Sequence, residues 1–258
     1  MAEDDQYAHV LRQQQRAISS DARAHSDAEL VEKLAAMRVN LDVARLQDLA
    51  KRFPSAEEAS NSFQAEVDRI PESDEDWLWF GLVCLWERWL PSTPSFEMID
   101  DKMQLGYAAM NAGDSAKACR YWKEVWQAIL DVMDRFETRT MSEFEERFGG
   151  TYSIFDWSQD YERELFNARL EDEQALPVRI EFCETFGSRF DAGDPLQSHL
   201  LAARAESFFY MGYADTADNL FRQCLQGNSE PEWVWISWSR CYRDGDTDRK
   251  TTRAIEIL

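Results

Sequence analysis

Apolar residues recur along this chain at intervals of three and four, and polar caps and prolines separate the runs. Tyr7, Val10, Leu11 and Ile18 share one face of a Gln-rich segment, predicting a first helix from about residue 4 to 18. Ser26 and Glu29 have the spacing of a capping box, and Leu30, Leu34 and Met37 continue it as an apolar stripe. Asn40 is placed to cap the next helix, which carries Leu41, Ala44, Leu46, Leu49 and Phe53 and stops at Pro54. Ser55 with Glu58 starts a further helix bearing Ala59, Phe63 and Val67, which Pro71 closes. Ser73 and Asp74 then open Trp77–Leu90, apolar on nearly every face and therefore a central buried helix. Pro91 and Pro94 end it, and Ser95 begins the next.

Two later stretches share one spacing. Gly106, Gly113, Ala118, Trp122 and Val125 match Ala205, Gly212, Ala217, Phe221 and Cys224 position for position. Each reads as a helix, a Gly turn and a second helix, with small residues where the two helices approach. Asp114 is a plausible cap for the helix that runs to Phe136. Between the copies lie a short helix at 142–148, the Gly149-Gly150 turn, a helix from Asp156 to Asp172, and Val178–Phe190 with Pro177 in its first turn. Gly193-Asp194-Pro195 breaks the chain before the second copy, and Gly227 and Pro231 end that copy. Trp233–Tyr242, a turn at 244–246 and a final helix at 249–258 complete the chain. No stretch alternates with period two. The expectation is an all-α fold, an α-solenoid-like stack of antiparallel helix pairs with about a dozen helices, divided into an N-terminal helical segment 1–72 and a repeat domain 73–258.

Composition narrows the function. Aromatics make up 13% of the 258 residues, with 10 Trp, which is ample for a core. The formal charge of −21 disfavours nucleic acid and anionic membranes as direct partners and suits a basic protein segment. No run reaches the ~18 apolar residues of a membrane span. The acidic start Met1-Ala2-Glu3-Asp4-Asp5 does not read as a signal peptide. Cys84, Cys119, Cys183, Cys224 and Cys241 are odd in number, form no C-x-x-C pair and sit in apolar contexts, the pattern of reduced core thiols in a cytoplasmic protein.

Candidate chemistry centres on two helices. In the segment from Tyr152 to Ala168, Trp157 and Tyr161 share a face, and Asp156, Asp160, Glu164 and Asn167 form an adjacent row. Stacked acids repel one another, so the row has two readings: a solvated acidic face, or a ledge for a basic segment or divalent cation. Solvation is the commoner fate of such rows. The second helix places Trp235, Trp238 and Tyr242 on one stripe, the pattern of core packing, and leaves Trp233 off it as the surface candidate. His9, His25 and His199 are the three histidines, and none has metal-ligand spacing. No phosphate-cradling Gly motif and no nucleophile elbow occurs, so neither a catalytic residue nor a cofactor is assigned.

The paired spacing resembles the tetratricopeptide helix-turn-helix repeat, and Ala118 and Ala217 stand 99 residues apart, close to three periods of ~34. Leu85-Trp86-Glu87-Arg88, Gly106-Tyr107, Tyr152–Asn167, Arg179-Ile180-Glu181-Phe182-Cys183 and the Trp-rich helix together look like a bacterial group of tetratricopeptide-like proteins often found with a SEC-C zinc motif. That zinc motif is absent here. The resemblance implies a fold and a binding mode, and supplies no catalytic residue. The functional expectation is a scaffold that binds a protein partner with a basic segment through a helical groove. An acidic inhibitor mimicking nucleic acid is the first alternative, and a metal-dependent enzyme using the acidic row is the second. The residues expected to meet a partner are Asp156, Trp157, Asp160, Tyr161, Glu164, Asn167 and Trp233.

Overall fold

The computed structural model describes residues 18–66, 71–190, 194–226 and 232–243. The helices expected at 4–17 and 249–258, the turn at 244–246, and Val67, Gly193, Gly227 and Pro231 lie outside the described residues. Among the described residues every regular element is an α-helix. Residues 18–24 form α1. It is followed by α2 (Asp27–Ala36), α3 (Val43–Arg52), α4 (Ala56–Glu66), α5 (Glu72–Trp89), α6 (Phe96–Asn111) and α7 (Ser115–Phe136). Then come α8 (Met141–Phe148), α9 (Ile154–Ala168), α10 (Ala175–Arg189), α11 (Asp194–Tyr210), α12 (Ala214–Gln226) and α13 (Glu232–Arg243). The described residues fall into two compact units, one within Met1–Asp101 and Val125–Glu137, the other within Lys102–Glu124 and Thr138–Leu258.

In the first unit α5 is the hub, as its all-round apolarity predicts. Leu78, Leu82, Leu85 and Trp86 are buried on it, packed with Leu30 and Leu34 of α2 and Phe63 of α4. A helix this rich in Trp must find acceptors for its indole N–H groups. Trp77 donates to Asp21, Trp79 to Glu97, Trp86 to the Thr93 carbonyl and Trp89 to Asp27. Glu97 also accepts the N–H groups of Ala56 and Glu57, so a carboxylate from α6 caps α4. The capping box at Ser26 and Glu29 forms as predicted. The cap of α3 is Asp42 and not Asn40: its Oδ1 accepts the Arg45 N–H at 2.8 Å, and Leu41 is spent as a buried residue before the helix.

The two related stretches form the same local structure in the second unit. Gly113 and Gly212 have φ of +78° and +90°, a left-handed conformation that side chains resist. In each, the residue after the Gly reaches back five positions. Asp114 N–H bonds the Ala109 carbonyl at 3.0 Å, and Tyr213 N–H bonds Phe208 at 2.9 Å. Gly113 N–H bonds Met110 and Gly212 N–H bonds Phe209, both at 2.9 Å. This pairing of bonds is a Schellman closure, which satisfies the orphan carbonyls at the helix end. Asp114 caps the helix that follows, its Oδ1 accepting the Lys117 N–H. Ala118, Trp122, Ala205, Ala217 and Phe221 are fully buried. At Gly106 the fit is tightest, because a Cβ there would lie 2.0 Å from Trp122 Nε1. That indole N–H in turn donates to the Met103 carbonyl at 3.1 Å.

The same closure occurs a third time, at the end of α2, without glycine. Val39 N–H bonds Leu34 and Arg38 N–H bonds Ala35, with Arg38 at φ +64°. Two substitutions separate conformation from packing. Arg38→Gly should stabilise by up to ~1 kcal/mol by relieving a left-handed side chain. Gly106→Ala should destabilise by ~1–3 kcal/mol or more, since Trp122 must move and its bond to Met103 break. Urea unfolding of both variants measures the pair of signs.

Candidate functional site

The acidic helix begins at Ile154, two residues before the expected start, because the Ser153 hydroxyl accepts the Asp156 N–H at 3.0 Å and caps α9. Asp156 is exposed and takes a return bond from that hydroxyl at 2.8 Å. Trp157 and Tyr161 are core residues, 0% and 1% exposed, with their rings stacked 5.6 Å apart. Tyr161 also packs on Phe182, and burial pushes its phenol pKa up. Asp160 accepts from Arg163 at 2.6 Å and from the Tyr107 hydroxyl at 3.1 Å. Glu164 is buried and accepts from Ser115 at 2.6 Å and Asn167 at 3.0 Å. Asp160 and Glu164 of this row thus bind α9 to α6 and α7, while Asp156 stays at the solvent-facing start of the helix. Among the described residues no group of three or more His, Cys, Asp or Glu is gathered to hold a metal ion.

A buried ion-pair cluster lies on a different face of α9 from that row. Arg179 of α10 and Glu162 of α9 are both at most 5% exposed. Arg179 Nε donates to Glu162 Oε1 at 2.5 Å, Nη1 to Ser207 at 3.1 Å, and Nη2 to Glu206 at 2.7 Å. The Phe166 ring covers the guanidinium at 4.5 Å. His199 Nε2 sits 3.2 Å from the second oxygen of Glu162. Burial alone raises the Glu162 carboxyl, but Arg179 and His199 reverse the sign and hold it below the usual carboxylate range. Burial likewise opposes the charge on Arg179, and Glu162 and Glu206 restore it. Trp233 enters here, half-buried, with its ring 6.2 Å from that of His199. The expected site residues therefore separate. Asp160, Glu164 and Asn167 sit on one face of α9, while Trp233 lies beside His199, which in turn contacts Glu162 of α9.

A groove of about 410 Å³ opens along α11 between α10 and α12. Cys183, Leu200 and Cys224 are its buried members, Ser188 and Gln223 are polar members, and Arg204 carries its positive charge. The sequence signal for it was weak. Arg204 lies one residue before the second repeat copy, and nothing in the apolar periodicity distinguishes it.

On α13 the order of exposure differs from the stripe reading. Trp238 is buried and donates to Asp218 at 2.6 Å, and Tyr242 donates to the same oxygen at 3.0 Å. Trp235 stacks on Trp238 at 5.5 Å yet stays 36% exposed, and Ile236 is 44% exposed. The surface Trp of this helix is thus Trp235, while Trp233 packs against the cluster of Phe221, Val234 and Trp238. No family model, curated protein or solved structure matches the chain.

Glu162→Gln tests the buried cluster. It leaves Arg179 with Glu206 as its one remaining carboxylate, so a loss of ~3–5 kcal/mol at neutral pH is expected. The folded-state pKa of Glu162 is depressed. Its contribution is therefore full above the unfolded value near ~4.3 and is lost as pH falls through the folded value. Urea unfolding at neutral and at acid pH should show the gap between wild type and variant closing on acidification. A gap that stays constant removes the ion pair as its source.

Proposed function

We propose that this protein is a non-catalytic interaction module, a tetratricopeptide-like stack of helix pairs that holds a partner protein in the cytoplasm. The observation that carries the reading is the exposed apolar pair Trp235 and Ile236 on α13, present on a chain whose formal charge is −21. Large apolar side chains left in water on so acidic a protein favour burial against a partner, and Trp is the most effective anchor at such contacts. The charge adds a long-range preference for a partner with a basic segment. The repeated Schellman closures and their matched spacing support kinship with tetratricopeptide repeats. Five buried free thiols suit a reducing compartment. A metal-dependent reaction on the acidic row fits less well, because Asp160 and Glu164 already accept bonds from Tyr107, Arg163, Ser115 and Asn167.

The test is capture from native host extract on immobilised wild type and on a Trp235→Ala/Ile236→Ser variant. A partner held by wild type should bind the variant about tenfold or more weakly, at a temperature where circular dichroism shows both proteins folded despite the lost stacking on Trp238. Raising salt from about 0.05 to 0.3 M should weaken binding to both, as screening removes the steering field. A partner held equally by both proteins rules out the α13 surface.

A further inference from the structure

The groove along α11 has a chemistry of its own, separate from the α13 surface. Arg204 of α11 stands in it with a side chain 24% exposed, so most of the cation is out of water. Its Nε is buried and makes no hydrogen bond. Its ion partner is Glu184 of α10, whose nearest approach is to Nη2, at 3.4 Å, from a side chain that is 63% exposed. Nε and Nη2 lie on one edge of a guanidinium, the edge that receives both oxygens of a carboxylate side by side. Glu184 is tied to its own helix and reaches one half of that edge. A buried donor left without an acceptor costs roughly 1–3 kcal/mol, so the edge is primed for a better-placed anion.

The rest of the groove limits what can bring that anion. Its volume, about 410 Å³, falls within the range of small-molecule sites, roughly 300–1,000 Å³. Leu200, Cys183 and Cys224 offer an apolar surface, while Ser188 and the Gln223 amide offer neutral hydrogen-bonding groups. Burial pushes the thiol of Cys224 up to about 11 and that of Cys183 higher still, so both stay protonated and behave as apolar wall.

We propose that the groove between α10 and α12 binds a small organic acid, whose carboxylate displaces Glu184 from the Nε–Nη2 edge of Arg204 while an apolar body and an amide or hydroxyl group fill the space beside Leu200 and Gln223. Glu184 is then a built-in competitor, a tethered carboxylate that occupies the anion position when the ligand is absent. This reading does not depend on the partner surface of α13, and either can fail alone.

The probe is N-acetyl-leucine, which joins a carboxylate, an amide and an isobutyl group, with N-acetyl-leucinamide as its uncharged twin. Both are titrated into the whole protein and followed by proton–nitrogen NMR, including the Arg204 Nε–H resonance, assigned by its loss in Arg204→Gln. The acid should shift that resonance and the backbone signals of α11, and the amide should bind about tenfold or more weakly. Arg204→Gln should abolish binding of the acid. Glu184→Gln should tighten it several-fold, an effect that a merely structural Arg204–Glu184 pair does not produce. Any of three outcomes overturns the proposal: no binding of the acid up to ~10 mM, equal binding of acid and amide, or unchanged affinity in Arg204→Gln. The Glu184→Gln protein keeps the test open if Arg204→Gln fails to fold. In that case, affinity for the acid in Glu184→Gln equal to or weaker than wild type overturns it as well.

Discussion

The second unit depends on how closely two successive helices can approach. The indole of Trp122 stands where a side chain on residue 106 would begin. Glycine at 106 is therefore a condition for the approach and not a matter of local helix preference, since glycine weakens a helix by ~1 kcal/mol against alanine. The turn seven residues later is governed by the opposite property of the same amino acid. Gly113 is needed for a backbone angle, Gly106 for an absent side chain. In the second copy the two demands come apart. Ala205 suffices beside Phe221, while Gly212 is retained at the left-handed turn.

Once the helices are this close, their polar side chains have few places to go. The second unit resolves this by pairing. Glu162, Glu164 and Asp218 are buried acids, and each accepts from a donor on another helix: Arg179, Ser115 and Trp238 respectively. Such groups add little net stability compared with apolar residues of the same shape, but removing one partner is costly. They fix which helix faces which. Arg179 does so for three helices at once, through Glu162 on α9 and Glu206 and Ser207 on α11. The acidic sequence is in this sense partly internal wiring, and the formal charge overstates what the surface presents.

The all-helical fold was legible because its signals are local. Capping residues, prolines and three-to-four spacing place α2, α4, α5 and the paired helices within a residue or two. Asn40 misled because Asp42 offers a competing cap two residues on, and a carboxylate there accepts the Arg45 N–H. The α9 start was misplaced for the same reason: Ser153 outcompetes the acids after it. The site was less legible. Periodicity placed Trp157 and Tyr161 on one face but could not say that this face is the core. It identified the acidic row, but not that Tyr107 and Ser115, some fifty residues earlier, supply its donors. Arg204 and Glu184 are twenty residues apart on different helices, and a groove between helices has no signature in either one.

The five cysteines are spread over α5, α7, α10, α12 and α13, and every one is a buried free thiol. Where burial acts on them it raises the thiol pKa, to about 12 at Cys119 and about 11 at Cys224. A thiol that is both shielded and protonated is inert to alkylating reagents until its own helix opens. The molecule thus carries five internal clocks, one on each of those helices. The order in which they become reactive would rank the helices by how often each leaves its place.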